Sequence, residues 1–182
     1  CIRDRDVTRA QARFYPAVHP LHSYSQDTEV LSQFWDQHGN PNWPEQRRRF
    51  LSLLEEQARL ERMARIVGKD ALPPRQQHVL LCAELVNEAF LRQSAFSKVD
   101  RYCSAERQIA MMKLITYFID QSEKAVAAHI RVEDIAALPI MRRLRRMGEE
   151  IGENELDKFE ELRQVLDDEC SQLSRGATRD AG

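Results

Sequence analysis

The chain has little of what marks several large classes of protein. Its 182 residues include only six glycines, and no apolar run approaches the roughly 20 residues that a membrane-spanning helix requires. Neither a G-x-x-x-x-G-K-[ST] phosphate loop nor a G-x-G-x-x-G fingerprint occurs, so we do not expect this chain alone to hydrolyse a nucleotide. The net charge of −2 gives no reason to expect nucleic acid as a partner.

The cysteines and histidines form no recognisable metal or catalytic set. The four cysteines contain no C-x-x-C pair, which is typical of scattered reduced thiols. His19 and His22 lie close in sequence, but Pro20 between them prevents a shared helix face. We therefore expect neither a bound metal nor catalytic residues in this chain.

The chain does contain proline and glycine residues that mark where helices begin and end. Pro16 and Pro20 predict an extended lead-in, and from Thr28 onward the apolar pattern becomes helical. Gly39 and Gly68 are expected to end two helices, because glycine adopts positive φ without a steric penalty. No strand-like alternation follows residue 25, so we predict an all-α antiparallel bundle. Its helices are predicted near residues 28–39, 44–67, 74–91, from 104, 132–139 and from 154.

Each predicted helix has one apolar side. Pro44 suits a helix start, while Ser104 and Asn154 are predicted to cap the starts of two others. The side chains predicted to face inward include Val67, at the end of one helix, and Leu156, at the start of the last. The others are Phe50, Leu53, Leu54, Leu60, Ala64, Val79, Cys82, Ala83, Val86, Phe90, Ile109, Met112, Ile115, Ile119, Phe159, Leu162, Leu166 and Leu173.

Charge is segregated near the carboxyl end. The pairs Arg142-Arg143 and Arg145-Arg146 form a basic patch, whereas residues 149–170 hold ten acidic side chains against Lys158 and Arg163. Such segments pair within a bundle or bind a neighbour. We expect the basic patch to face solvent or an acidic partner rather than nucleic acid.

Two aromatic turns stand apart from this helical pattern. Tyr15 lies in residues 14–18 and Phe96 ends residues 93–96. If the fold brings these rings together, they form a flat apolar slot suited to a purine, although nothing in the chain would bind its phosphates. The alternative is that both rings simply belong to the core. The first interpretation predicts one part of a nucleotide-binding machine whose phosphate site lies elsewhere.

Four blocks together carry a resemblance to a known family. They are Arg13-Phe14-Tyr15-Pro16-Ala17-Val18 with Ser23-Tyr24-Ser25, then Val67-Gly68-Lys69-Asp70-Ala71-Leu72-Pro73, then Phe90-Leu91-Arg92-Gln93-Ser94-Ala95-Phe96 with Val99-Asp100-Arg101-Tyr102-Cys103, and Met112-Lys113-Leu114-Ile115. In order and spacing they resemble the C-terminal part of the catalytic A subunit (alpha chain) of V/A-type rotary ATPases. Departures from the family pattern are Tyr15 in place of Phe, His19-Pro20 in place of an apolar pair, and Ser94 in place of Asn.

The resemblance implies a domain division and a site. Residues 1–25 would end the α/β nucleotide-binding domain, and residues 26–182 would form the C-terminal helical bundle. The chain lacks an initial Met, so we expect a fragment whose first six or so residues are a junction and not native sequence. Adenine would lie between the two turns, against Tyr15, Gln93, Ser94, Ala95 and Phe96.

The resemblance also implies the cofactors and partners. ATP or ADP with Mg²⁺ would bind through phosphate and metal ligands outside this fragment. B-type subunits of the catalytic hexamer and central stalk subunits would be partners, with an indirect link to a membrane sector that moves protons or sodium ions. The complex would lie at the cytoplasmic face of the membrane, and nucleic acid would not be a partner.

Two alternatives remain at this stage. The Tyr15-Pro16-Ala17-Val18 stretch also resembles the beta subunit of F-type ATP synthases, but Pro73, Pro74 and Arg75 stand where that family has an acidic cluster. A non-enzymatic helical adaptor is the other alternative, with its acidic last helix binding a partner and both aromatic rings buried.

Overall fold

The computed structural model describes residues 10–11, 28–93, 97, 99–100 and 102–180, with side chains as far as residue 175. The prediction of an all-α fold is confirmed. Within these ranges every helix is too short or too polar to cross a membrane. The elements are α1 (Thr28–Gln37), α2 (Trp43–Val67), a 3₁₀ turn (Lys69–Ala71), α3 (Pro74–Leu85) continuing as a π-helical segment (Val86–Leu91), α4 (Ala105–Ala127), α5 (Val132–Ala136), α6 (Ile140–Glu150) and α7 (Asp157–Asp180).

The predicted helix ends are set by local chemistry. Gly39 and Gly68 have φ values of 84° and 88°, the left-handed region in which a side chain would be strained. Pro44 lies in the first turn of α2, where its missing N–H has no partner to lose. The Ser104 hydroxyl accepts the Arg107 amide at 3.2 Å and so caps α4 as predicted.

Helix α4 lies at the centre of the bundle and packs against α3, α6 and α7. Its side chains Ile115 and Phe118 are completely buried. Phe90, from the π-helical segment, packs edge-on against Phe50 of α2, with 5.7 Å between ring centroids. A smaller apolar cluster beside the end of α2 consists of Leu60, Leu72, Val79 and Leu80. The core therefore extends along the bundle towards the turn that joins α2 to α3.

Three predictions about the ends of helices are wrong. Asn154 does not cap α7, which begins at Asp157, because the Glu155 carboxylate closes the preceding turn by accepting the Gly152 amide at 3.0 Å. Val67 was expected inside but is 56% exposed, since α2 ends there. Leu156 precedes the first turn of α7 and is 38% exposed.

Candidate functional site

The loop of residues 92–104 joins the π-helical segment to α4 and contains most of the predicted site. The helix widens just before it, because the Arg92 amide donates to the Asn87 carbonyl five residues earlier, at 2.9 Å. The Asn87 side-chain amide also donates to the Ala83 carbonyl (3.1 Å) and to Gln57 on α2 (2.9 Å). Local π-helical turns are frequent at functional sites. Asn87 thus ties the entrance of the loop to α2.

A buried arginine holds the other side of the loop. Arg107, near the start of α4, is 0% exposed. Its Nη1 donates to the carbonyls of Val99 (3.3 Å) and Tyr102 (3.0 Å) and pairs with the Glu153 carboxylate (3.3 Å). Its Nη2 donates to the Gly148 carbonyl. These acceptors offset the hydration that a buried cation loses, and they join the loop to the corner between α6 and α7.

Further contacts hold the second half of the loop in place. Both carboxylate oxygens of Glu153 accept the Ser104 amide, each at 3.2 Å. The Ser97 hydroxyl accepts the Asp100 amide at 3.2 Å, and Asp100 itself is buried. Gly148 lies beside it, since a Cβ added there would be 3.6 Å from an Asp100 carboxylate oxygen, which is ordinary van der Waals contact. Ser97, Asp100 and Ser104 are therefore each held by polar contacts.

Only one of the five predicted adenine contacts belongs to the described part of the chain. Gln93 is exposed, whereas Tyr15, Ser94, Ala95 and Phe96 lie outside the described residues. The juxtaposition of the two aromatic rings stays a prediction. Gln93 borders a cavity of about 130 Å³ that is otherwise lined by Phe90, Arg92, Asp100, Cys103, Gln108 and Met111.

Sequence reasoning missed Arg107, although a signal was present. Arg107 shares the buried stripe of α4 with Met111 and Leu114, and an arginine within an apolar stripe indicates a buried cation. Its partner Glu153 lies 46 residues later in the chain. No local pattern could have identified that partner, because the contact depends on how α6 and α7 return to α4.

The turn of residues 68–73, between α2 and α3, is the second region that the resemblance singles out. Lys69 forms an ion pair with Glu84 of α3, with 2.9 Å between Nζ and Oε1. The Gln77 side chain donates to the Leu72 carbonyl at 2.9 Å, and the Leu72 side chain is buried in the smaller cluster. The turn is therefore held to α3 at both of its ends.

Beside this turn, α2 exposes three apolar side chains, which we call the α2 tip patch. Met63 is 42% exposed, Ile66 is 86% exposed and Val67 is 56% exposed. Contiguous exposed apolar surface is typical of sites where another protein binds. A turn held in one position beside such a patch is suited to contact a partner.

A buried polar cluster connects α3 and α4 but is not arranged for chemistry. His78 Nε2 lies 2.8 Å from the Ser122 hydroxyl and 3.2 Å from the Cys82 sulfur. Burial raises the pKa of the Cys82 thiol to about 12, so the thiol stays protonated and is not a nucleophile. The cluster satisfies its own polar atoms inside the core.

This cluster makes the stability of the fold depend on pH. Burial lowers the pKa of His78 below its usual 6.5, Arg49 lowers it further, and only Glu123 opposes the change. Just below pH 6.5, His78 therefore binds a proton in the unfolded chain but stays neutral in the folded chain. The contribution of His78 to the free energy of unfolding is therefore fully present above pH 6.5. We expect the free energy of unfolding to fall as the pH drops below that value.

Urea unfolding between about pH 7.5 and about pH 5.5 measures this dependence. His78→Gln should flatten the part of the curve below pH 6.5, and the matched control His38→Gln, at an exposed position, should not. An equally steep curve in His78→Gln would show that other groups cause the dependence.

No group of three or more His, Cys, Asp or Glu side chains that could hold a metal ion is found among the described residues. His19 and His22, which we considered from the sequence, lie outside them.

Comparison with known proteins adds independent information. Residues 32–136 match the family model of the C-terminal domain of V and A type ATP synthase, a stretch that includes both the 68–73 turn and the 92–104 loop. The chain is 38% identical over 165 residues to the A subunit of the A-type ATP synthase of Thermococcus sibiricus, covering 86% of this chain and 28% of that protein. It is 32% identical over 173 residues to the corresponding A subunit from Methanopyrus kandleri, covering 95% of this chain and 29% of that protein. The chain thus spans less than a third of the length of these relatives.

Proposed function

The chain belongs to the family of the C-terminal domain of V- and A-type ATP synthases, and we propose that it is the C-terminal part of the catalytic, ATP-binding subunit of such a complex. The whole complex would couple ATP hydrolysis or synthesis to the movement of protons or sodium ions. The phosphate loop and the Mg²⁺ ligands would lie in the remainder of the subunit. This chain alone would be inactive.

The observation that carries the proposal is the anchoring of the described residues of the 92–104 loop. Buried Arg107 holds it on one side and Asn87 on the other. A loop whose flanking residues are already held in place loses less entropy when a ligand binds, so more of the contact energy appears as affinity. In our proposal the loop presents Phe96 to one face of adenine, and Tyr15 lies on the other.

Coupling to the central stalk would pass through α2. This helix has 25 residues, which corresponds to a length of about 37 Å. In our proposal adenine touches both the nucleotide domain and the 92–104 loop, so nucleotide occupancy closes the hinge between the two domains. The α2 tip patch would transmit that movement to the stalk, and B-type subunits would complete the catalytic hexamer.

The comparisons favour this proposal over the F-type alternative, because the matching family model describes V and A type enzymes and the relatives come from A-type complexes. No feature of the described residues specifically favours the helical adaptor.

The proposal is tested by removing the two rings in the full-length subunit of the assembled complex. Tyr15→Ala or Phe96→Ala should raise the nucleotide KM by about tenfold or more, because each base–aromatic stack is worth about 1–3 kcal/mol. The effect on kcat should be smaller, since the phosphate chemistry lies elsewhere. Steady-state ATPase assays over a range of ATP concentrations give both constants.

Tyr15→Phe and Phe96→Tyr are the matched controls, because both keep a ring and should leave KM close to that of the wild type. An unchanged KM in both alanine variants would contradict the proposal that adenine stacks on Tyr15 and Phe96.

A further inference from the structure

A concave surface beside α6 has no role in the proposed function. We call it the α6 groove. Its lining includes three exposed small residues, Ala136, Ala137 and Pro139, which we call the floor. It also includes four arginines of α6, which we call the rim, Arg142, Arg143, Arg145 and Arg146. Its volume is about 740 Å³, within the range of sites that hold a ligand or a side-chain cluster.

The charges on the rim are only half compensated. Arg145 pairs with Glu88 at 3.3 Å, and Arg146 pairs with Glu150 at 3.2 Å. Arg142 and Arg143 are exposed, and neither forms an ion pair with any residue in the described part of the chain. Two adjacent guanidinium groups beside an apolar floor therefore remain available to a partner.

We propose that the α6 groove binds an acidic segment of another protein subunit. Carboxylates of that segment would meet Arg142 and Arg143, because a planar guanidinium pairs with a carboxylate through two parallel hydrogen bonds. An apolar side chain next to those carboxylates would cover Ala137 and Pro139. The inference does not depend on adenine binding by the 92–104 loop.

The surroundings of the groove argue for a protein segment over a polyphosphate. Acidic residues follow directly at the end of α6, where Glu149 and Glu150 lie, and they continue into α7. A nucleic acid backbone extended along α6 would meet these carboxylates, and its phosphates would gain nothing from the apolar floor. An anionic membrane surface has the same difficulty, whereas a short acidic segment meets only the uncompensated arginines.

The test measures binding of a labelled synthetic peptide to the chain by fluorescence anisotropy. The probe carries a Leu-Phe dipeptide with one Glu-Glu pair on each side of it. Arg142→Glu with Arg143→Glu should weaken its binding by about tenfold, since the reversal replaces two attractions by two repulsions. Arg62→Glu with Arg65→Glu is the matched control. It reverses two exposed arginines of α2 and should change the affinity by less than about twofold.

A second probe tests the floor, with Ser-Ser in place of Leu-Phe, and it should bind at least about threefold more weakly than the first. Equal effects of the two arginine pairs, or equal affinity of the two peptides, would overturn the proposal. It would also be overturned if single-stranded oligouridine or phosphatidylserine vesicles bound in an Arg142- and Arg143-dependent way while the peptide did not. If the Glu variant fails to fold, Arg142→Gln with Arg143→Gln replaces it. This variant adds no repulsion and should still weaken peptide binding more than the Arg62 and Arg65 control does.

Discussion

Replacing Arg107 with methionine should lower the free energy of unfolding by about 3–5 kcal/mol, because three backbone carbonyls and a partly exposed carboxylate lose the buried guanidinium that donates to them. Methionine keeps much of the volume but donates no hydrogen bond. The carbonyls of Val99, Tyr102 and Gly148 would lose their donor, and Glu153 would lose its cation. Urea unfolding measures the loss. The slope of the free energy of unfolding against urea concentration should stay unchanged, which shows that the unfolding transition is of the same kind.

Two companion variants separate charge from geometry at this position. Arg107→Lys keeps the charge, but its single ammonium group cannot reach acceptors on both sides, so its loss should be intermediate. Glu153→Gln still offers an acceptor to the Ser104 amide and, at a partly exposed position, should cost less than Arg107→Met. A loss below about 1 kcal/mol in Arg107→Met would show that the network contributes little to stability.

The second large effect is expected at the centre of α4. Phe118 is 0% exposed and lies where α4 packs against its neighbours. Phe118→Ala should cost about 3–5 kcal/mol, from lost burial and from the cavity left behind. Because a domain of this size is stable by only about 5–15 kcal/mol, the variant should unfold at a much lower denaturant concentration. Thermal and urea unfolding both report the change.

The matched control for this variant is Phe34→Ala on α1, the same substitution at a side chain that is 42% exposed. It should cost less than about 1 kcal/mol. Comparable losses at the two positions would mean that the core centred on α4 does not dominate the stability of the bundle.

Most of the helices could be predicted because their ends depend on neighbouring residues, whereas α6 was not among the predicted helices. Gly39, Gly68 and Ser104 act within one turn of the helix that each of them bounds, so a single sequence contains the whole signal. The prediction that Asn154 caps the last helix was wrong because it used only this local signal. Asn154 is a good capping residue on local grounds, but the Glu155 carboxylate closes a competing turn and moves the start of α7.

The site was predictable only in part. Local motifs indicated the 92–104 loop and the 68–73 turn, and both lie within the matched family segment. The contacts that hold the loop were not predictable, because Arg107 reaches Gly148 and Glu153 across more than forty residues. The purine slot between Tyr15 and Phe96 stays a prediction.

The widened turn of residues 86–91 sets the direction in which the chain leaves α3. Such a turn holds one residue more than ordinary winding, so the side chains after it are rotated by about 100° relative to a regular 3.6-residue repeat. Deleting a single residue there would restore regular winding and, because the rotation is lost together with the extra residue, would leave Phe90 facing Phe50. Regular winding of the undeleted sequence would instead turn Phe90 away from Phe50, so the direction in which the chain leaves α3 depends on the wide hydrogen bond between the Arg92 amide and the Asn87 carbonyl.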